Sequence, residues 1–177
     1  MLFGENIRLR ALERDDLDSL FRWWNDPDLW ELIGSRRRVS GHEELEAWFD
    51  GELEKTSPQE GRTFAMDDEE GHLLGTVWYG SFEMGDRQAL VGLYIGPEEK
   101  RSCGYGTDAL RTLLGYLFDE LGLHKARLLV QKENAPAIAV YRKLGFADEG
   151  VLREHRYYGG KFHDFLTMGL LDREFGR

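Results

Sequence analysis

The sequence predicts an α+β fold: a mixed, mostly antiparallel central sheet with helices on both faces. Three features carry this. The apolar spacing switches along the chain between a period of two and one near 3.6, three strand-like runs follow one another mid-chain, and helices alternate with strands thereafter. The chain has 177 residues, 41% of them hydrophobic, and no repeat, linker or low-complexity tract, so residues 1–177 are expected to form one domain with its own core.

Residues 7–12 set Ile7 and Leu9 against Arg8 and Arg10, the alternation of a half-buried strand. Asp15 or Asp16 then caps a helix bearing Leu17, Leu20, Phe21 and Trp24, and Asn25-Asp26-Pro27 ends it. Ser40-Gly41-His42-Glu43 reads as a capping box for a second helix, whose stripe is Leu45, Trp48, Phe49 and Leu53. Between residues 62 and 95 lie three strand-like runs, broken by the acidic stretch 67–71 and by Met84-Gly85-Asp86, a pattern of antiparallel hairpins. The third run, residues 89–95, is apolar throughout and predicts a central strand covered on both faces; Gly92 within it suggests a bulge or a close backbone approach.

Beyond a loop, Leu110, Leu113, Leu114, Leu117, Phe118 and Leu121 mark a long amphipathic helix closed by Gly122. A buried strand is expected at 126–130. Asn134 caps a short helix with Pro136 in its tolerant first turn and Ala137, Tyr141 and Leu144 on one face. Two last strands, near 151–157 and 162–170, turn at Gly159-Gly160.

The net charge of −10, from 33 acidic and 23 basic residues, argues against nucleic acid as a partner, since that binding runs on phosphate neutralisation. A cationic acceptor is compatible with it. The single cysteine, Cys103, has no internal partner for a disulfide, and no apolar run approaches the roughly 20 residues of a membrane span. With no basic-then-apolar opening, the expectation is a cytoplasmic protein without membrane contact. The five histidines show no ligand spacing, so no metal is expected.

The loop Lys100-Arg101-Ser102-Cys103-Gly104-Tyr105-Gly106-Thr107 joins a strand to a helix N-terminus, where unpaired N–H groups and the helix dipole attract anions. Two glycines let the backbone come close and Lys100 and Arg101 add charge, which suits a pyrophosphate. A P-loop is excluded because no Gly-(x)4-Gly-Lys-Ser/Thr string occurs. Gly104-Tyr105-Gly106-Thr107-Asp108-Ala109 fits a dinucleotide fingerprint, but the turn lies well beyond Ile95 and hairpins precede it, which is the wrong setting.

Arg101-x-x-Gly104-x-Gly106 resembles instead the Arg/Gln-x-x-Gly-x-Gly/Ala loop of the GNAT acetyltransferase superfamily. Asn134-x-x-Ala137-(x)3-Tyr141-(x)2-Leu144-Gly145-Phe146 resembles that family's second signature, and both motifs stand in the family's order. Leu9-Arg10-Ala11-Leu12-Glu13, Trp24-Asn25-Asp26-Pro27 and the tail from Gly150 to Leu170 are most similar to the branch of spermidine and ribosomal-protein N-terminal acetyltransferases.

The resemblance implies acetyl-CoA as cosubstrate, a primary amine acceptor on a polyamine-like molecule or a protein N-terminus, and a V-shaped cleft between the fourth and fifth strands. It places the pantetheine arm along the backbone of Leu93, Tyr94 and Ile95, the pyrophosphate on residues 101–107, Asn134 against the arm, and Tyr141 as general acid. A phenol of pKa about 10 protonating a thiolate of pKa about 8.5 is uphill by roughly 2 kcal/mol, which is surmountable. A homodimer is compatible with the family. Relatives carry a glutamate base where this chain has Leu90, leaving water, Glu83 or no side chain as the base, and opening the alternative of a non-catalytic acyl-CoA sensor; Tyr141 weighs against that alternative. Trp23, Trp24, Trp30 and Trp48 are candidates for an acceptor wall, with core packing expected for at least two. Arg36-Arg37-Arg38 and the acidic run 67–70 read as solvated segments. Cys103, between Arg101 and a helix N-terminus, is a candidate redox-sensitive thiol.

Overall fold

The computed structural model describes residues 1–37, 39–83 and 85–176. Its strands are β1 (Leu2–Phe3), β2 (Ile7–Ala11), β3 (Arg62–Asp68), β4 (Leu73–Glu83), β5 (Gln88–Ile95), β6 (Lys125–Gln131), β7 (Ala147–Tyr158) and β8 (Lys161–Leu171). They form one sheet in the order β1-β2-β3-β4-β5-β6-β8-β7. All neighbours are antiparallel except β5 and β6, which are joined by a helical crossover, as parallel pairing requires.

The helices are α1 (Leu17–Trp24), α2 (Pro27–Leu32), α3 (His42–Glu54), α4 (Tyr105–Gly115), which runs on through a π-helical turn at Tyr116–Glu120, and α5 (Ala135–Lys143). Because strand side chains alternate between faces, β3 sends Ala65 to one core and Met66 to another. Ala65 meets Leu12, Leu20, Trp24, Leu45 and Phe49 from the α1–α3 side. Met66 shares the opposite core with Ile7, Leu9, Val77 and Val91, on which α4 lays Leu110, Leu113 and Leu114, all fully buried. Each such leucine contributes about 1.5–3 kcal/mol, so this stripe is what seats α4 and the loop before it. No helix among the described residues is long and apolar enough to cross a membrane.

Several local expectations are corrected. Ser40 does not cap α3: its backbone N–H and C=O bond the Asn25 side chain at 2.9 and 3.2 Å, and Gly41 is the N-cap, with no side-chain bond. Asp26-Pro27 ends α1 but also starts α2, with the Asp26 carboxylate accepting from Asp28 N and Leu29 N and Pro27 in the first turn. Asp16 closes the entrance to α1 through a 3-10 turn, accepting Glu13 N at 2.8 Å. The short β1 gave no periodic signal. Half of the acidic run is buried, with Asp67 2% and Asp68 6% exposed; Arg10 holds Asp67, while Asp68 caps its own turn. Of the turn between β4 and β5, Met84 lies outside the described residues, and Gly85 and Asp86 do turn.

Candidate active site

β5 and β6 stay paired only at Gln88↔Lys125, Ala89↔Ala126 and Leu90↔Arg127. On its other edge β6 stays paired with β8 along its whole length, from Lys125↔Leu171 to Gln131↔Phe165, while its pairing with β5 stops at Leu90↔Arg127. The two strands therefore diverge, and the fold has the expected V, between β5 and β6 once β1 is counted. The resulting cleft is about 1170 Å³. On its β6 side the backbone of Leu93, Tyr94 and Ile95 has no strand partner, so it offers the free edge that an extended, amide-bearing chain needs. This opening is also why β5 is not covered on both faces as expected: Leu90 and Gly92 to Ile95 are only half-buried.

The anion loop closes one end of the cleft. Ser102 and Gly104 take left-handed backbone angles, φ 60° and 94°, which turn the chain into α4. With Gly104 as N-cap, the first helical bond is Asp108 N to Gly104 O at 3.1 Å, so the amides of Gly104, Tyr105, Gly106 and Thr107 have no acceptor within the helix. Gly106 packs tightly, since a Cβ there would meet Leu93 Cδ1 at 3.2 Å. Arg101 turns inward: its Nε donates to Ile95 O at 3.1 Å and its Nη2 to Gly96 O at 2.7 Å, pinning the loop to the end of β5. Lys100 pairs with Asp68 at 3.7 Å and lies over the Tyr105 ring. The amides are thus the groups left free to donate to an anion, and the adjoining hollow of about 460 Å³ adds Arg111 and Lys143. Sequence reading missed those two because only the helix geometry turns them toward the loop.

Asn134 caps α5 as expected, its Oδ1 accepting from Ala137 N at 3.1 Å, while its Nδ2 donates to Leu32 O of α2 at 2.9 Å. Tyr141, two turns along α5, reaches the cleft beside the Phe146 ring. Burial pushes its phenol up to about 12, with no charge or hydrogen bond contributing. Tyr94 is also pushed up to about 12 by burial, against smaller pulls from Thr76 and Trp24.

The two faces of the sheet divide the cleft. Register places Thr63 opposite Trp78, Trp78 opposite Gly92 and Thr76 opposite Tyr94, so these residues share the α1–α3 face. Trp24, Trp30, Trp48 and Leu90 complete the wall on that side. Gly92 is a close-approach position, as one of the two expectations held: its register with β4 is regular, and a Cβ would sit 2.5 Å from the Trp78 ring. The bulge is elsewhere, between Gly80 and Glu83. Trp24 belongs both to the core and to the wall, and Trp23 packs on Gly96 and edge-on to Tyr94. Glu83 is tied to Arg127 at 3.2 Å beyond the closed end of the V and does not line the cleft.

The other candidates lie apart. Cys103 is exposed at the anion loop, its thiol near Glu99 O and Arg101 O. Arg36 donates to Tyr157 O, Arg37 pairs weakly with Glu31, and Arg38 lies outside the described residues. Folding brings His72 beside Asp68 and Glu70, a grouping that sequence spacing did not single out.

A split parallel pair with an amide-rich helix start at its mouth defines a class. Residues 6–147 match the family described as acetyltransferase (GNAT) domain, and the chain belongs to it. It is an N-acetyltransferase that uses acetyl-CoA. Among its relatives, the spermidine N(1)-acetyltransferase of Vibrio cholerae is 28% identical over 172 residues, covering 97% of this chain and 96% of that protein. N-acetyltransferase p20 of Bacillus licheniformis is 26% identical over 177 residues, covering 98% and 97%. The fold is similar to the crystal structure of the Vibrio cholerae spermidine N-acetyltransferase in complex with CoA and spermine, with TM-score 0.86, 26% identity and coverage of 97% and 98%.

Proposed function

We propose that the protein moves the acetyl group of acetyl-CoA directly onto a primary amine of a polyamine-like small molecule or a protein N-terminus, with Tyr141 as general acid. The observation that carries this is the divergence of β5 from β6 with Tyr141 facing the gap. The free edge of Leu93, Tyr94 and Ile95 holds the pantetheine arm and polarises the thioester carbonyl. Residues Arg101, Ser102, Cys103, Gly104, Tyr105, Gly106 and Thr107 form the pyrophosphate loop, Arg101 by fixing it and the others by backbone contact. Asn134 releases Leu32 O to bind the arm while it keeps its cap on Ala137 N.

The amine lone pair forms the N–C bond as the C–S bond breaks. Tyr141 gives its proton to the departing sulfur, and the proton shed by the nitrogen returns to the phenol through solvent. With Leu90 on β5 and Glu83 held by Arg127, the chain offers no side-chain base on that strand. A cytoplasmic location and a homodimer belong to the same reading. The relatives named spermidine N-acetyltransferases support a small amine acceptor.

Thiol release from acetyl-CoA across polyamines, aminoglycosides, amino acids and N-terminal peptides, with CoA binding measured in parallel, tests the proposal. Acceptor-dependent release is expected. Binding without release for any acceptor would favour the acyl-CoA sensor.

A further inference from the structure

We infer that the acceptor is a small primary monoamine on an aromatic or apolar body, not an extended polycation; this rests on the direct acetyl transfer to a primary amine proposed above and departs from that reading on the acceptor alone. The acceptor side of the cleft is walled by Trp24, Trp30 and Trp48 from three helices and by Trp78 and Tyr94 from the sheet. These rings are held in place: Trp30 Nε1 donates to Trp24 O at 2.6 Å, Trp24 and Trp48 pack at 4.9 Å, and Trp78 lies across Gly92. Fixed aromatic faces bury a flat ring at little entropic cost.

Charge points the same way. Among the described residues that line the cleft the only carboxylate is Glu98, beside the anion loop, against Arg101, Lys143 and Arg156. A polyamine entering there would shed water from several ammonium groups without meeting a counter-ion, and a buried charge without a partner is strongly disfavoured. A monoamine has a single proton to lose, and an apolar chamber lowers the pKa of the ammonium it desolvates. The chamber thereby favours the neutral, nucleophilic amine, the task that a carboxylate at position 90 would otherwise perform.

A strap limits size. Asn25 clasps Ser40 at the neck of the excursion that carries α2, and the far side is fastened by Arg156 to Gly34 O at 3.1 Å, a bond that the binding of the arm by Asn134 leaves in place. It crosses from the α1–α3 side to α5 and β7, roofing the aromatic chamber. A polypeptide would have to displace it; a small molecule would not.

The test is kcat/KM for thiol release with phenethylamine, tryptamine, hexylamine, spermidine, spermine and a short N-terminal peptide, on the wild-type chain. The aromatic monoamines are expected to exceed spermidine and the peptide by about tenfold or more. Trp78→Ala should lower phenethylamine turnover by about tenfold while acetyl-CoA affinity persists, and Leu90→Glu should shift preference toward spermidine. Spermidine or the peptide equalling the aromatic amines overturns the acceptor class alone. Absence of release with every amine, with CoA still bound, overturns the transferase reading as well.

Discussion

At the residue scale, environment changes what a familiar side chain can do. In its proposed role as general acid, the Tyr141 phenol, held near 12, would face a thiol of ordinary pKa about 8.5 across a gap of roughly 5 kcal/mol, wider than the ordinary phenol value implies. The same burial raises the pKa of the departing thiol, which narrows the gap during the reaction. Tyr141→Phe is therefore expected to cut kcat by about 100-fold with acetyl-CoA affinity retained, checked by steady-state kinetics beside calorimetric binding. Arg10 shows the structural counterpart. Sequence alternation puts it on the polar side of β2, yet its guanidinium forks onto Asp16 at 2.8 Å and reaches Asp67 at 2.7 Å, both carboxylates being buried. Removing it leaves two buried anions with only Arg8 nearby, at 3.5 Å from Asp67. Arg10→Met is expected to lower stability by about 3 kcal/mol in urea unfolding, and a loss under about 1 kcal/mol would mean that water replaces the guanidinium.

At the element scale, the start of α4 couples backbone geometry to binding. Gly104 has φ 94°, which a β-branched residue resists, and a Cβ there would point into open space rather than into the core. Gly104→Val should thus combine strain of about 1–2 kcal/mol with obstruction of the phosphate approach. The expected result is an acetyl-CoA Kd raised by about tenfold or more, with a fall of a few degrees in Tm. Equal affinity in calorimetry would remove the loop from the cofactor site. The α2 strap illustrates what local sequence conceals: Asp26-Pro27 signals both a helix end and a helix start, and which dominates depends on Trp30 and Leu29 having a surface to pack on.

At the scale of the whole molecule, one split sheet serves two cores and two substrates. In the proposed reading the α4 and α5 side holds the cofactor and the α1–α3 side, with its aromatic chamber, the acceptor, so that the partners approach from opposite faces through the V. Close packing on both faces also leaves a collective signature. Tyr79, Tyr94, Tyr141 and Tyr158 are each pushed up to about 12, principally by burial. A raised phenol pKa means that the unfolded chain loses protons first, so this contribution is intact below pH 10 and is lost as pH climbs toward 12. Tm should be flat with respect to these groups up to about pH 10 and then fall steeply, in step with tyrosinate absorbance at unfolding. Tyrosinate absorbance near pH 10 in the folded protein that amounts to all seven tyrosines of the chain would show that these four phenols are solvated.

The sequence by itself determined the alternation of elements, the glycine-bearing loop at residues 101–107 that opens α4, the Asn134 cap and the place of Tyr141 on α5, because periodicity, capping and helix-end chemistry are local. Its motifs also sufficed for the family. Only the tertiary structure decided that β5 parts from β6 after Leu90, that Arg101 serves its own backbone, that Glu83 is spent on Arg127, and that four tryptophans from α1, α2, α3 and β4 meet around one chamber. Those outcomes depend on contacts between residues far apart in the chain, where strand register and competition for partners, rather than any single residue's preference, set the result.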